Sequence, residues 1–145
     1  MSRLTIMRSG VVALALAAGF AMAGPALADV VTYKVNLVSS AEVPPNDSAG
    51  TGTVTITYDS GTKKLNWQGT YSGLTGPTTA GHFHGPAEPG KNAGVVIPIS
   101  VGSSPFQGTA DLTDAQAADL LAGRWYVNIH TDAHKGGEIR GQIVK

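Results

Sequence analysis

The chain has 145 residues, with ten Lys and Arg against ten Asp and Glu, and it contains no cysteine. Balanced charge without a basic stripe or a polybasic run argues against nucleic acid or an anionic membrane as a partner. Without cysteine there is no disulfide framework, so a hydrophobic core alone must hold the fold.

The first 28 residues have the order of a secretory signal peptide. Two arginines precede an apolar run, 11–23, which is shorter than the roughly 20 residues that a membrane helix needs. Small residues at Ala26 and Ala28 then provide a cleavage site. We therefore predict cleavage after Ala28, a periplasmic or secreted location without a membrane span, and a single domain over residues 29–145.

Period-two alternation of apolar and polar residues dominates the predicted domain. Gly52–Asp59 and Lys64–Tyr71 alternate in this way on either side of turn residues, which predicts a β-hairpin. Seven or eight short antiparallel strands separated by Gly and Pro indicate an all-β fold, an immunoglobulin-like or Greek-key β-sandwich or barrel. The further predicted strands are Val30–Val38, Gly81–His84, Val95–Ile99, Phe106–Ala110, Trp125–His130 and Glu138–Val144.

One short helix is expected in this β-rich chain. Thr113 and Gln116 have the spacing of a capping box, and the residues of Asp114–Leu121 favour a helix. The helix is about two turns long, and both Leu120 and Leu121 are expected to pack inward.

All four histidines lie in two short segments. His82 and His84 share one face of a predicted strand, about 6.6 Å apart along the chain, because alternate residues of a strand point to the same side. Phe83 between them points the other way, into the core. His130 ends a second predicted strand, and His134 follows it closely.

Alternation also assigns the faces of that second strand. Trp125, Val127 and Ile129 take one face, whereas Tyr126, Asn128 and His130 take the other. If the two strands are neighbours, His82, His84 and His130 can surround one metal ion, with His134 as a fourth ligand. The alternative is that these are ordinary solvent-facing histidines on the polar side of a sheet.

The absence of sulfur from the predicted mature chain limits the kinds of metal site that it can form. The three methionines all lie in the predicted signal peptide, so the mature chain contains no sulfur. This excludes thiolate zinc sites, iron–sulfur clusters and blue-copper sites. Imidazole ligation suits Cu(II) or Zn(II), and the affinity order of divalent metals favours copper over zinc.

Two acidic residues near His130 are candidates for a supporting role. Asp132 and Glu138 can act as a further ligand or accept a hydrogen bond from an imidazole N–H. The alternatives are a solvated charge in a turn for Asp132 and a structural ion pair with Arg140 for Glu138. No nucleophile elbow and no phosphate-binding loop is present, so no catalytic residue is assigned.

Five segments resemble the CHRD domain, a module named after chordin and found in many exported bacterial proteins. They are SAEVPPNDSAGTG (40–52), GHFHGPA (81–87), NAGVVIPI (92–99), LLAGRWYVNIHT (120–131) and GGEIRGQI (136–143). The family's motifs match this chain at His82, His84, His130, Glu138, Arg140 and Gln142, whereas His134 lies in a variable stretch. The resemblance implies an immunoglobulin-like β-barrel over nearly all of residues 30–145.

Three functions remain open from the sequence. The first is an exported domain that binds copper, with zinc second, in metal buffering, delivery or tolerance. The second is a non-catalytic adhesion module that contacts another exported protein and whose histidines are incidental. The third is a redox enzyme, because the resemblance implies a distant similarity to copper–zinc superoxide dismutases; those enzymes use more than the four histidines present here.

Overall fold

The computed structural model describes residues 28–145. All of the predicted signal peptide except Ala28 therefore lies outside the described residues. Eight strands, one α-helix and one 3-10 turn, Ser39–Ala41, make up the described part. The strands are β1 (Val30–Val38), β2 (Thr51–Asp59), β3 (Lys64–Ser72), β4 (Thr78–His84), β5 (Val95–Ile99), β6 (Phe106–Asp111), β7 (Tyr126–Thr131) and β8 (Ile139–Gln142), and the helix α1 spans Asp114–Leu121.

The strands form one antiparallel sheet that curls into a nearly closed barrel, in the order β5-β4-β7-β8-β1-β2-β3-β6. The first three strands form a meander. The chain then crosses to the other end of the sheet to form β4 and β5, and β6 returns to pair with β3. The prediction of an all-β fold with one short helix is confirmed. Within residues 28–145, no helix has the length and apolar character needed to cross a membrane.

Alternation places one apolar face of each long strand inside the barrel. On β2, Val54, Ile56 and Tyr58 are buried between exposed or half-buried threonines. Phe83 on β4 is completely buried and packs against Trp67 with ring centroids 5.2 Å apart. The inward direction of Phe83 fixes the opposite direction for its two histidine neighbours.

The helix α1 begins with the predicted capping box. The Thr113 side chain accepts from the Gln116 N–H, and the Gln116 side chain accepts from the Thr113 N–H. Leu120 is completely buried, but Leu121 is 48% exposed, so the expectation that both pack inward is wrong. The reason is geometric: neighbouring residues of a helix point about 100° apart, and a two-turn helix buries one narrow face.

Three loops shield the outer face of β4, β7 and β8 from solvent. Tyr126 and Asn128 on this face are 3% and 2% exposed, although alternation made them the polar side of their strand. The loops are 42–50, which precedes β2, 85–94 between β4 and β5, and 132–138 between β7 and β8. The candidate site lies under this outer layer.

Candidate metal centre

The strands β4 and β7 are neighbours, and their register brings the two histidine segments together. His82 pairs with Asn128, His84 with Tyr126, and Ala80 with His130. Paired residues of antiparallel strands project to the same face of the sheet. His82, His84 and His130 therefore emerge on the loop-covered face.

These residues, the three-histidine group, can offer ligand atoms that all lie within 4.8 Å of one another. Nδ1 of His82 is 3.1 Å from Nε2 of His130. His84 is buried, whereas His82 and His130 are half-buried. Because one ion with bonds near ~2.0–2.1 Å spans atoms at most about 4.2 Å apart, small χ rotations suffice to place all three nitrogens on a single metal.

Hydrogen bonds to backbone carbonyls orient two of the three imidazole rings. Nδ1 of His84 lies 2.9 Å from the carbonyl oxygen of Ala93, and Nδ1 of His130 lies 2.8 Å from that of Lys135. A carbonyl oxygen only accepts, so each Nδ1 carries the proton and donates. In the neutral imidazole, Nε2 then keeps its lone pair, which is the arrangement that metal-binding histidines usually have.

The protein keeps His82 and His84 neutral. Burial lowers the pKa of His82, and the neighbouring His130 and His84 lower it further. Burial also lowers the pKa of His84, and this outweighs the hydrogen bond to Ala93, which acts in the opposite direction. Neutral imidazole is the form that binds a metal ion, so both pKa shifts favour ligation.

Tyr126 and Arg140 position the loop 85–94, which holds His84. The Tyr126 ring stacks on the His84 ring, with centroids 4.7 Å apart and planes 5° from parallel. The Arg140 guanidinium lies 3.4 Å from the centre of the Tyr126 ring and donates to the Lys91 carbonyl and the Asn92 side chain. These contacts fix the chain immediately before Ala93.

Glu42 is buried beside Asn128 at the edge of the site. Burial raises the pKa of Glu42 from 4.5 to about 7, although a hydrogen bond from the Asn128 side chain and the charge of Arg140 act to lower it. Its Oε1 atom has no hydrogen-bond partner among the described residues. The carboxyl group therefore faces Asn128 and Arg140 without a full set of donors.

The predicted supporting roles of Asp132 and Glu138 do not match their positions. Asp132 is exposed in the loop after β7 and lies outside the three-histidine group. Glu138 is completely buried and does not pair with Arg140; Ser48, Thr75 and Thr131 donate to it instead.

Four hydrogen bonds determine the charge state of Glu138. Burial alone raises the pKa of this carboxyl, but the hydrogen bonds from Ser48, Thr131 and Thr75 together outweigh it and hold the pKa below the usual range. The carboxylate thus ties together the segments that lead into β2, β4 and β8. Its function here is structural, and the sequence offered no sign of its partners because they are distant along the chain.

His134 is not a member of the three-histidine group. Its side chain lines a separate cavity of about 190 Å³ together with Glu42, Val43 and Pro44. Its backbone carbonyl accepts from Thr131 and Gly137 and so closes the loop after β7.

Comparison with known proteins identifies the family. No curated protein and no solved structure matches this chain. The family model described as "CHRD domain" matches residues 33–143, which includes every strand from β2 to β8 and most of β1. The chain therefore belongs to the CHRD domain family.

Proposed function

We propose that this protein is an exported metal-binding domain that holds copper, with zinc as the second choice, through His82, His84 and His130. The observation that supports it most directly is the convergence of three imidazole nitrogens within 4.8 Å on one face of β4 and β7. Two of these rings donate through Nδ1 to backbone carbonyls, so their Nε2 lone pairs are directed to the centre of the group.

The donor atoms of the site favour copper over zinc. The described chain offers imidazole and no thiolate at this site, and nitrogen donors follow the divalent order in which Cu(II) binds more tightly than Zn(II). The predicted signal peptide supports a location outside the cytoplasm. The proposed role there is copper buffering, delivery or tolerance. Three histidines fall short of the ligand set of copper–zinc superoxide dismutases, so we do not propose dismutation.

Metal analysis of untagged protein tests the proposal. After loading with Cu(II) and removal of excess metal, we expect one copper per chain in the wild type and in His134→Ala. His82→Ala should lose it, because a ligand is missing. His134→Ala is the matched control, since it removes one imidazole outside the three-histidine group.

Two results would contradict the proposal. One is a wild-type protein that retains neither copper nor zinc. The other is equal copper retention in His82→Ala, which would place the bound ion elsewhere on the chain.

A further inference from the structure

The amide oxygen of Asn128 lies beside two of the three imidazole rings of the three-histidine group. Oδ1 of Asn128 is 3.1 Å from Nε2 of His84 and 3.0 Å from Nε2 of His130. Asn128 is only 2% exposed, and it stands directly across from His82 in the β4–β7 ladder. His84 and His130 lie on either side of this pair, opposite Tyr126 and Ala80.

Ordinary hydrogen bonding does not account for both of these short distances. The Nδ1 protons of His84 and His130 are already donated to Ala93 and Lys135, so a neutral ring has no second proton for Oδ1. The amide nitrogen of Asn128 faces the Glu42 side of the site, because this nitrogen and Oε1 of Glu42 both lie beside Gly137. Oδ1 of Asn128 therefore lies within about one hydrogen-bond length of two Nε2 atoms that also carry lone pairs.

The same distances fit the edges of a coordination polyhedron. With metal–ligand bonds near ~2.0–2.1 Å, adjacent donors are about 2.9 Å apart in a square plane and about 3.4 Å apart in a tetrahedron. His82 Nδ1, His130 Nε2, Asn128 Oδ1 and His84 Nε2 follow one another at 3.1, 3.0 and 3.1 Å.

We infer that Asn128 supplies the fourth donor, its amide oxygen, and that the resulting three-nitrogen, one-oxygen set selects Cu(II) over Cu(I). The inference rests on the proposed function. An amide oxygen is a hard donor that suits Cu(II), whereas Cu(I) favours the soft sulfur ligands that this chain lacks at the site. Glu42 acts as a positioning residue, because its carboxyl group lies beside the amide nitrogen and so favours the orientation that turns Oδ1 toward the three-histidine group.

Two variants of Asn128 test the inference. Asn128→Leu keeps the branching of the side chain but has no donor atom, and we expect it to lower Cu(II) affinity by about 10–100-fold while Cu(I) affinity stays nearly unchanged. Asn128→Asp keeps an oxygen at the same position and should retain or raise Cu(II) affinity. Asn66→Leu, an exposed residue on β3, is the control for the substitution itself.

Electron paramagnetic resonance of the Cu(II) protein separates ligation from a merely structural role. In oxygen-17-enriched water, Asn128→Leu should show greater line broadening than the wild type, because water replaces the amide oxygen. Asn128→Asp should change the g values, because a carboxylate oxygen replaces a neutral one. These readouts do not move if Asn128 only supports the fold.

Each outcome is decisive. Equal Cu(II) affinity and equal spectra in the wild type and Asn128→Leu would overturn the inference while the histidine site stands. If Asn128→Leu does not fold by circular dichroism, an Asn128→Asp spectrum identical to the wild type overturns it instead. A wild type that binds no copper overturns both the inference and the proposed function.

Discussion

At the scale of single residues, the burial of Glu42 makes stability depend on pH. Its pKa is about 7 in the folded protein and near 4.5 when the carboxyl is free in solvent, so the folded state binds the extra proton between these values. This contribution to stability is fully present below about pH 4.5 and is lost as the pH rises through about 7.

Glu42→Gln should abolish the loss of stability that accompanies rising pH. We expect the free energy of unfolding of the variant, relative to wild type, to increase by about 3 kcal/mol between pH 4.5 and 8, since one pKa unit corresponds to ~1.4 kcal/mol. Urea denaturation with a chelator present measures this difference. Glu88→Gln at an exposed position is the control. A pH-independent difference for Glu42→Gln would show that the pKa of Glu42 is the same in the folded and unfolded states.

The residues of the site were predictable only in part. The spacing of His82 and His84 on a strand places both on one face, and their convergence with His130 needed only that β4 and β7 be neighbours. Asn128 was assigned to the same face as His130, but an amide is an uncommon ligand and nothing in its spacing singles it out. The carbonyls of Ala93 and Lys135 belong to loops whose paths depend on tertiary contacts.

At the scale of elements, the neighbouring strands β3 and β6 share a tight contact between Trp67 and Gly108. Trp67 is 6% exposed and pairs with Gly108, where a Cβ atom would collide with the indole ring. Trp67→Ala should lower the free energy of unfolding by roughly 3–5 kcal/mol, because it empties a buried position. Chemical denaturation followed by circular dichroism measures it, and a cost near zero would mean that the ring is not packed in solution.

Gly108→Ala offers a second test of the same contact. It should destabilise the wild type, because the indole has to move, and should do so less in a Trp67→Leu background, where the ring is absent. Non-additive costs are expected for residues in direct contact. Additive costs would show that the glycine is required for another reason.

Most element boundaries followed from the sequence, because alternation and turn chemistry are local. The largest differences are at the start of β4, which begins at Thr78 instead of Gly81, and at the end of β8, which ends at Gln142 instead of Val144. Burial of both faces of β7 was not predictable. It depends on the loops 42–50, 85–94 and 132–138, which fold over this strand through contacts between residues far apart along the chain.

At the scale of the whole molecule, metal binding should stabilise the fold. An ion that binds only the folded state adds about 2.7 kcal/mol when its free concentration is 100 times the dissociation constant. For a domain of this size that raises Tm by roughly 10 °C. Calorimetry with and without Cu(II) should show this shift in the wild type and not in His82→Ala, and an equal shift in both would indicate binding outside the three-histidine group.

The strand β5 forms one edge of the sheet, where a second molecule could pair with it. An edge strand exposes N–H and C=O groups that a second chain can pair with, and such pairing leads to aggregation. Pro98 in β5 has no N–H, so a second molecule cannot form a continuous ladder along this edge. This short, interrupted edge should therefore oppose strand pairing between molecules along β5 when the protein is concentrated.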